Sequence, residues 1–245
     1  MKWKIKGVEN LMSVYAIADL HLSFEQNKPM NIFGENWDCH AEKIKNNWMQ
    51  KIKEDDYVIL VGDFSWATYL ENTKKDFEYL NSLPGNKILL KGNHDYWWTT
   101  ITSMRNFLKD NDFKKIDFLY NNSYCIENKI IVGTRGWNIL DNENENKMIK
   151  RENARLELSI QDGINRYGKN KEIIAFLHYP PISMNPIHQK EQTEFVKTLQ
   201  KYNIKKCYYG HLHGSSHKEA VIGNIDGIFY QLISADYLNF DLVKI

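Results

Sequence analysis

Five short segments carry side chains able to hold metal ions. They are Asp19-Leu20-His21, Gly62-Asp63, Gly92-Asn93-His94-Asp95, His178 and Gly210-His211-Leu212-His213. Carboxylate, amide and imidazole groups are the donors that bind divalent transition metals. Each segment alone is a weak signal, since Gly-Asp is a common turn and a lone histidine is usually a hydrogen-bonded residue. Five of the eight histidines fall inside the set, and that coincidence gives it weight. No cysteine belongs to it. Cys39, Cys125 and Cys207 are far apart and form no CxxC pair, so neither a thiolate zinc site nor a disulfide framework is expected. Three reduced thiols fit a cytoplasmic protein.

Side chains this far apart in sequence need elements that deliver them to one place. Apolar runs predict strands at Ser13–Ala18, Tyr57–Val61, Lys87–Leu90, Ile130–Val132, Ile173–Leu177 and Lys206–Tyr209. A hairpin is expected from Glu219–Ile225 and Ile228–Ser234, because Asp226-Gly227 between apolar runs favours a tight turn. A last strand is predicted at Phe240–Ile245. Helical periodicity joins Ala41, Ile44, Trp48 and Ile52, with Asp38 as the expected N-cap. It also joins Ile149, Leu156, Ile160 and Ile164, and then Phe195, Val196, Leu199 and Tyr202. Asp141–Lys147 reads as a solvated loop entering the long middle helix. Strands alternating with helices are the α/β pattern. Each candidate segment follows a strand, and open α/β sheets bind ligands beyond the carboxyl ends of their strands.

The 245 residues suit a single domain spanning 1–245, with no repeat or linker visible. Hydrophobic residues at 42% and charged residues at 26% are ordinary for a globular chain. No apolar run reaches the roughly 18 residues of a membrane span, so no membrane partner is expected. The first twelve residues lack the apolar stretch of a secretory signal. Thirty-two basic residues against 31 acidic ones leave a net charge of +1. That balance supplies no global field for a nucleic-acid backbone, and duplex nucleic acid is not an expected partner.

The ordered set Asp19-x-His21, Gly62-Asp63, Gly92-Asn93-His94-Asp95, His178 and Gly210-His211-x-His213 resembles the calcineurin-like metallophosphoesterases, from Val14 to about Asp236. The resemblance implies an α/β fold, a four-layer α/β/β/α sandwich holding two divalent transition-metal ions (Mn, Fe or Zn). Carried over, Asp19, His21 and His213 hold the first ion, Asn93, His178 and His211 the second, and Asp63 bridges both. The resemblance also implies that His94 contacts the phosphate and can protonate the leaving oxygen. The implied reaction is hydrolysis of a phosphomonoester or phosphodiester by in-line attack of metal-bound hydroxide. A phosphorylated small molecule or nucleotide is the expected substrate. Rival readings are a nuclease or cyclic-nucleotide phosphodiesterase, and a non-catalytic scaffold.

One stretch departs from the family pattern. Many protein phosphatases carry an acid and an arginine soon after Gly-Asp; here the chain reads Phe64-Ser65-Trp66-Ala67, with Trp66 in the acid's place. This argues against protein-phosphatase activity and leaves His94 without an identified partner. Arg135, between Gly133 and Gly136, is a candidate substrate-phosphate ligand, weighed evenly against a structural ion pair. Trp37, Trp66, Trp97, Trp98 and Trp137 lie near motif ends, where core packing is the favoured role. His40, His188 and His217 receive no role in the site.

Overall fold

The computed structural model describes residues 12–26, 28–138, 143–182 and 192–245. Residues 1–11 and His188 lie outside them. Strands β1 (Val14–Ile17), β2 (Tyr57–Val61), β3 (Asn86–Leu90) and β4 (Ile116–Phe118) run parallel, and β11 (Val243–Lys244) adds an antiparallel edge beside β1. A second sheet has the order β5 (Tyr124–Ile126), β6 (Lys129–Thr134), β7 (Glu172–Leu177), β8 (Lys206–Tyr209), β10 (Ile228–Leu232), β9 (Gly223–Ile225). Its four inner strands are parallel.

Alternation along the inner strands explains the layering. In β2, Val58 and Leu60 point one way, and Ile59 and Val61 the other. Ile59 and Val61 join Ala16, Ile88, Ile131, Ile174, Phe176 and Ile233 in a core between the two sheets. Val58 and Leu60 pack outward against α1 (His40–Lys51), α2 (Lys74–Ser82) and α3 (Ile101–Asp110), through Ile44, Trp48, Phe77, Leu80 and Met104. On the far side, α4 (Glu143–Tyr167) and α5 (Glu194–Lys201) cover the second sheet with Leu156, Ile160, Phe195 and Leu199. The result is the expected four-layer α/β/β/α arrangement. Parallel strands buried on both faces read as continuous apolar runs, which is why YVILV and NKILL were visible as strands.

Several boundaries differ from the sequence expectation, each for a local reason. Asp38 is not the cap of α1. Glu35–Trp37 forms a 3-10 turn that Asp38 closes by donating its N–H to Glu35 O, so Cys39 caps the helix at φ 53°. Of the expected loop Asp141–Lys147, residues 143–147 are helical because α4 starts at Glu143, and 141–142 lie outside the described residues. The strand foreseen from Phe240 begins at Val243, since Asn239 and Phe240 adopt φ 52° and 62° and turn the Phe240 ring onto Trp37. The hairpin's first strand begins at Gly223, after a 3-10 segment over Gly214–Glu219. Its turn is as expected, with Asp226 and Gly227 both at positive φ.

The two sheets meet at one edge, and this positions the site. Beyond β1, Ala18 N–H donates to Ile233 O at 2.8 Å and Ala235 N–H donates to Ala18 O at 3.0 Å. This stitch ties the first sheet's strand ends to those of the second. Among the described residues, no helix is long and apolar enough to cross a membrane.

Candidate metal centre

Four of the candidate residues lie in sharp turns beyond their strands. Asp19, His21, Asp63 and His211 have φ values of 62°, 45°, 49° and 75°, a region non-glycine residues adopt rarely. Four such residues in one cluster mark stored strain, typical of a functional site. The turns are held by backbone bonds: Asp19 N–H to Gly62 O and His21 N–H to Asp63 O, both 2.9 Å. Gly92 is required by close approach, since a Cβ there would lie 2.1 Å from Asp63 Oδ1.

The side chains converge in two groups. In the first, His21 Nε2 lies 3.3 Å from His213 Nε2, and His213 Nε2 lies 3.6 Å from Asp19 Oδ1. His213 Nδ1 donates to Asp236 Oδ1 at 2.8 Å, so Nε2 is the ring nitrogen turned toward the group. In the second, Asn93 Oδ1 lies 2.7 Å from His178 Nε2 and 2.9 Å from His211 Nδ1. His178 Nδ1 donates to Val61 O at 3.0 Å, so its Nε2 presents a lone pair. An amide oxygen facing that lone pair at 2.7 Å is a repulsive arrangement that a cation would relieve. Asp63 Oδ2 lies between the groups, 3.8 Å from His21 Nε2 and 3.5 Å from His178 Nε2. Its other oxygen accepts from His94 N–H at 2.8 Å. Asp19 Oδ1 is fully buried with no hydrogen-bond partner, while Oδ2 accepts from His211 N–H. A buried, unpartnered carboxylate oxygen fits a metal ligand.

The electrostatics point the same way. Burial pushes His21, His178 and His211 down, His211 to about 3, so all three present neutral imidazoles. His213 is different. Burial pulls it down, but the Asp19 and Asp236 carboxylates outweigh this and push it up to about 10. Asp63 is pushed well up by burial, with Asp19 and Asp95 adding repulsion. Asp19 goes down: burial opposes this, and His213, His178 and His21 outweigh burial.

All seven expected ligands therefore come together, and His94 stands beside them. Its ring lies 5.8 Å from His21 and 4.5 Å from Trp66. Trp66 in turn stacks on His21 at 4.8 Å and 23°. The place of the missing acid is thus taken by an aromatic wall that packs against both imidazoles. Asp95 is not the partner of His94. It is fully buried and accepts from Phe64 N–H, Gly92 N–H and Trp97 Nε1–H, tying two of the motif loops together. Arg135 is not brought into the cluster. Its guanidinium lies 3.7 Å from Glu152 Oε1 and 4.5 Å from the Trp137 ring centroid. Glu152 is also approached by Arg151 and Arg155 and accepts from Thr134 Oγ1.

Two residues of the site were missed from sequence. Asp236 orients His213 and also accepts from Gly214 N–H at 3.1 Å. His217 Nε2 lies 3.2 Å from Asp236 Oδ2. Asp236 follows the strand run ending at Ser234, so the rule that flagged the other ligands would have found it. Trp37 and Trp66 combine the expected packing role with a place on the wall of the site. Trp97 and Trp98 are core residues.

Comparisons with known proteins agree with this geometry. A family model described as calcineurin-like phosphoesterase matches residues 12–215. No curated protein matches the sequence. The solved structure of phosphopantetheinyl hydrolase from Mycobacterium tuberculosis is similar, with a TM-score of 0.55, 15% identity and 96% coverage of both chains. The structure of TT1561 from Thermus thermophilus is also similar, with a TM-score of 0.52 and 10% identity, covering 96% of this chain and 98% of that one. At these identities the likeness is one of fold.

Proposed function

The chain belongs to the calcineurin-like phosphoesterase family, a family of metal-dependent phosphohydrolases, and from that premise we propose a dinuclear enzyme that hydrolyses small phosphomonoesters or phosphodiesters. The observation that carries this reading is Asp63 Oδ2, set between two groups of converging imidazole, carboxylate and amide ligand atoms. Asp19, His21 and His213 would hold one ion, and Asn93, His178 and His211 the other. The donors are imidazole nitrogen, carboxylate oxygen and amide oxygen without thiolate, which suits Mn²⁺, Fe or Zn²⁺. Bound ions of this kind supply an activated water and withdraw charge from the phosphoryl oxygens.

The chain's own residues do the rest. Val61 O orients His178 and Asp236 orients His213 through Nδ1, so each ring turns its Nε2 toward the site in one fixed direction. His94 N–H holds Asp63 in its shared position, and the His94 imidazole protonates the leaving oxygen. Trp66 orients that imidazole by packing, in place of a carboxylate. Arg135, engaged with Glu152 and Trp137, is left out of the site. Free Cys39, Cys125 and Cys207 support a reducing, cytoplasmic setting. The phosphopantetheinyl hydrolase among the similar structures puts phosphopantetheine diesters on the substrate panel.

The test is the kcat/KM of the Mn²⁺-loaded protein on an aryl phosphodiester and on the matching monoester. Hydrolysis of at least one, abolished by chelation and by Asp63→Ala or His211→Ala with loss of metal, is expected. Hydrolysis that survives chelation would overturn the reading.

A further inference from the structure

We infer that the cavity beside His94 receives the organic part of the leaving group and that this part is a planar, uncharged ring. The inference rests on the phosphoesterase reading and adds the class of substrate. The cavity measures about 320 Å³. That is the low end for ligand sites, and since His21 and His213 line it, the phosphate shares the space and leaves room for one ring better than for a polymer or a bulky headgroup. His94 stands on its wall together with His21 and His213. A group whose proton goes to the leaving oxygen fixes the side on which the leaving group departs, so the substituent on that oxygen occupies this space.

The remaining walls choose the chemistry. Trp37, Trp66, Met30 and Phe33 line the cavity, and among the described residues no Lys, Arg, Asp or Glu does. A charged leaving group would lose its hydration there without gaining a partner. Trp37 is 3% exposed and meets His21 and His213 edge-on at 5.9 and 5.7 Å, so it is a rigid wall. Trp66 is fixed by its stack on His21, and its Nε1–H points to Met30 Sδ at 3.0 Å. Fixed aromatic walls favour a flat partner over a flexible chain, because stacking rewards planarity and costs little conformational freedom. Met30 is the adaptable element that can fit rings of different outline. Phe33 lines the cavity with 62% of its surface exposed. An apolar side chain left in water on the wall of such a cavity is suited to being covered by a ligand. Lys28, its ammonium 5.0 Å from the Trp66 ring centroid, is a cation near this wall but not on the cavity's lining.

The test compares phosphonates, which the enzyme cannot cleave, as competitive inhibitors of the Mn²⁺-loaded protein. Methyl-, cyclohexyl- and phenylphosphonate differ only in the group offered to the cavity. Quenching of tryptophan fluorescence supplies a binding readout independent of turnover. Phenylphosphonate is expected to bind about tenfold more tightly than the methyl compound, with cyclohexyl clearly weaker than phenyl. Phe33→Ala should narrow the phenyl-over-methyl ratio about threefold. Tyr69→Ala, at an exposed aromatic outside the cavity, should leave the ratio unchanged. Phe33 is exposed enough that its truncation leaves the fold intact. If the loaded protein hydrolyses phosphoesters yet binds phenyl- and methylphosphonate within twofold, or cyclohexyl as tightly as phenyl, this inference is overturned and the phosphoesterase reading stands. If it neither hydrolyses any phosphoester nor binds any phosphonate, the phosphoesterase reading fails and takes the inference with it.

Discussion

Asp236→Asn separates the two halves of the proposed centre. The Asp236 side chain is buried and accepts from His213 Nδ1 at 2.8 Å and from Gly214 N–H at 3.1 Å. Asparagine keeps the size and one acceptor oxygen, so the fold survives, but the negative charge behind His213 is lost. Partners that orient a ligand histidine in this way are worth about 10- to 100-fold in metal affinity. That is about 1.4 to 2.7 kcal/mol, at 1.36 kcal/mol per factor of ten. His178 is oriented by the Val61 carbonyl and does not touch Asp236. Calorimetric titration of metal-free protein with Mn²⁺ should therefore show one binding step weakened by that factor and the other unchanged within about twofold. Two unchanged steps would refute the role of Asp236. Two equally weakened steps would refute the division of the ligands into two groups.

Proton release gives a second test. His213 is pushed up to about 10 in the metal-free protein, so near pH 7 a metal ion must displace its proton. Loading heats in buffers of different ionisation enthalpy should report release of at least one proton, with affinity rising as pH rises toward 10. A folded-state value raised above 6.5 contributes stability that is complete below 6.5 and lost as pH rises through about 10. The Tm of metal-free protein should fall across that window more than the Tm of loaded protein. His94→Ala should retain metal and lose about 10²- to 10⁴-fold in kcat on alkyl esters; loss of metal, seen by elemental analysis, would contradict its role. Burial, with His178 adding to it, lowers the pKa of His94. Its acid form therefore disappears on a limb below pH 6.5, and kcat/KM for alkyl leaving groups should fall there while that for nitrophenyl esters does not. Gly92→Ala drives a methyl group into Asp63 Oδ1. Metal binding and activity should be lost together, and a metal-replete Gly92→Ala protein would show that the close approach is not required.

The sequence made the centre legible because metal ligands constrain residue type and because each follows a strand whose apolar run is continuous. Asp19, Asp63, Asn93, His178 and His211 could be found by that rule alone. What the sequence hid is what depends on packing. Asp236 follows a strand like the other site residues, but its pairing with His213, 23 positions away, is made only where the sheet edge brings the two together. Trp66 stands where the acid is expected, and only the fold shows its ring lying 4.5 Å from His94 and stacked on His21. Sequence left Arg135 evenly between a phosphate ligand and an ion pair, and the carboxylate it approaches, Glu152, lies on the following helix α4. Strands β4 and β5 escaped notice because three residues carry too little periodicity to separate from a loop. Helices α2 and α3 escaped because their apolar residues, such as Phe77 and Leu80 or Met104 and Leu108, are sparse among polar neighbours.

The central claim is the pair of ions sharing Asp63. Crystals grown with Mn²⁺ and measured at a wavelength where manganese scatters anomalously would test it most directly. The account predicts two anomalous peaks about 3.5–4 Å apart, one against Asp19, His21 and His213, the other against Asn93, His178 and His211, with Asp63 touching both. A single peak, or peaks away from these residues, would contradict it.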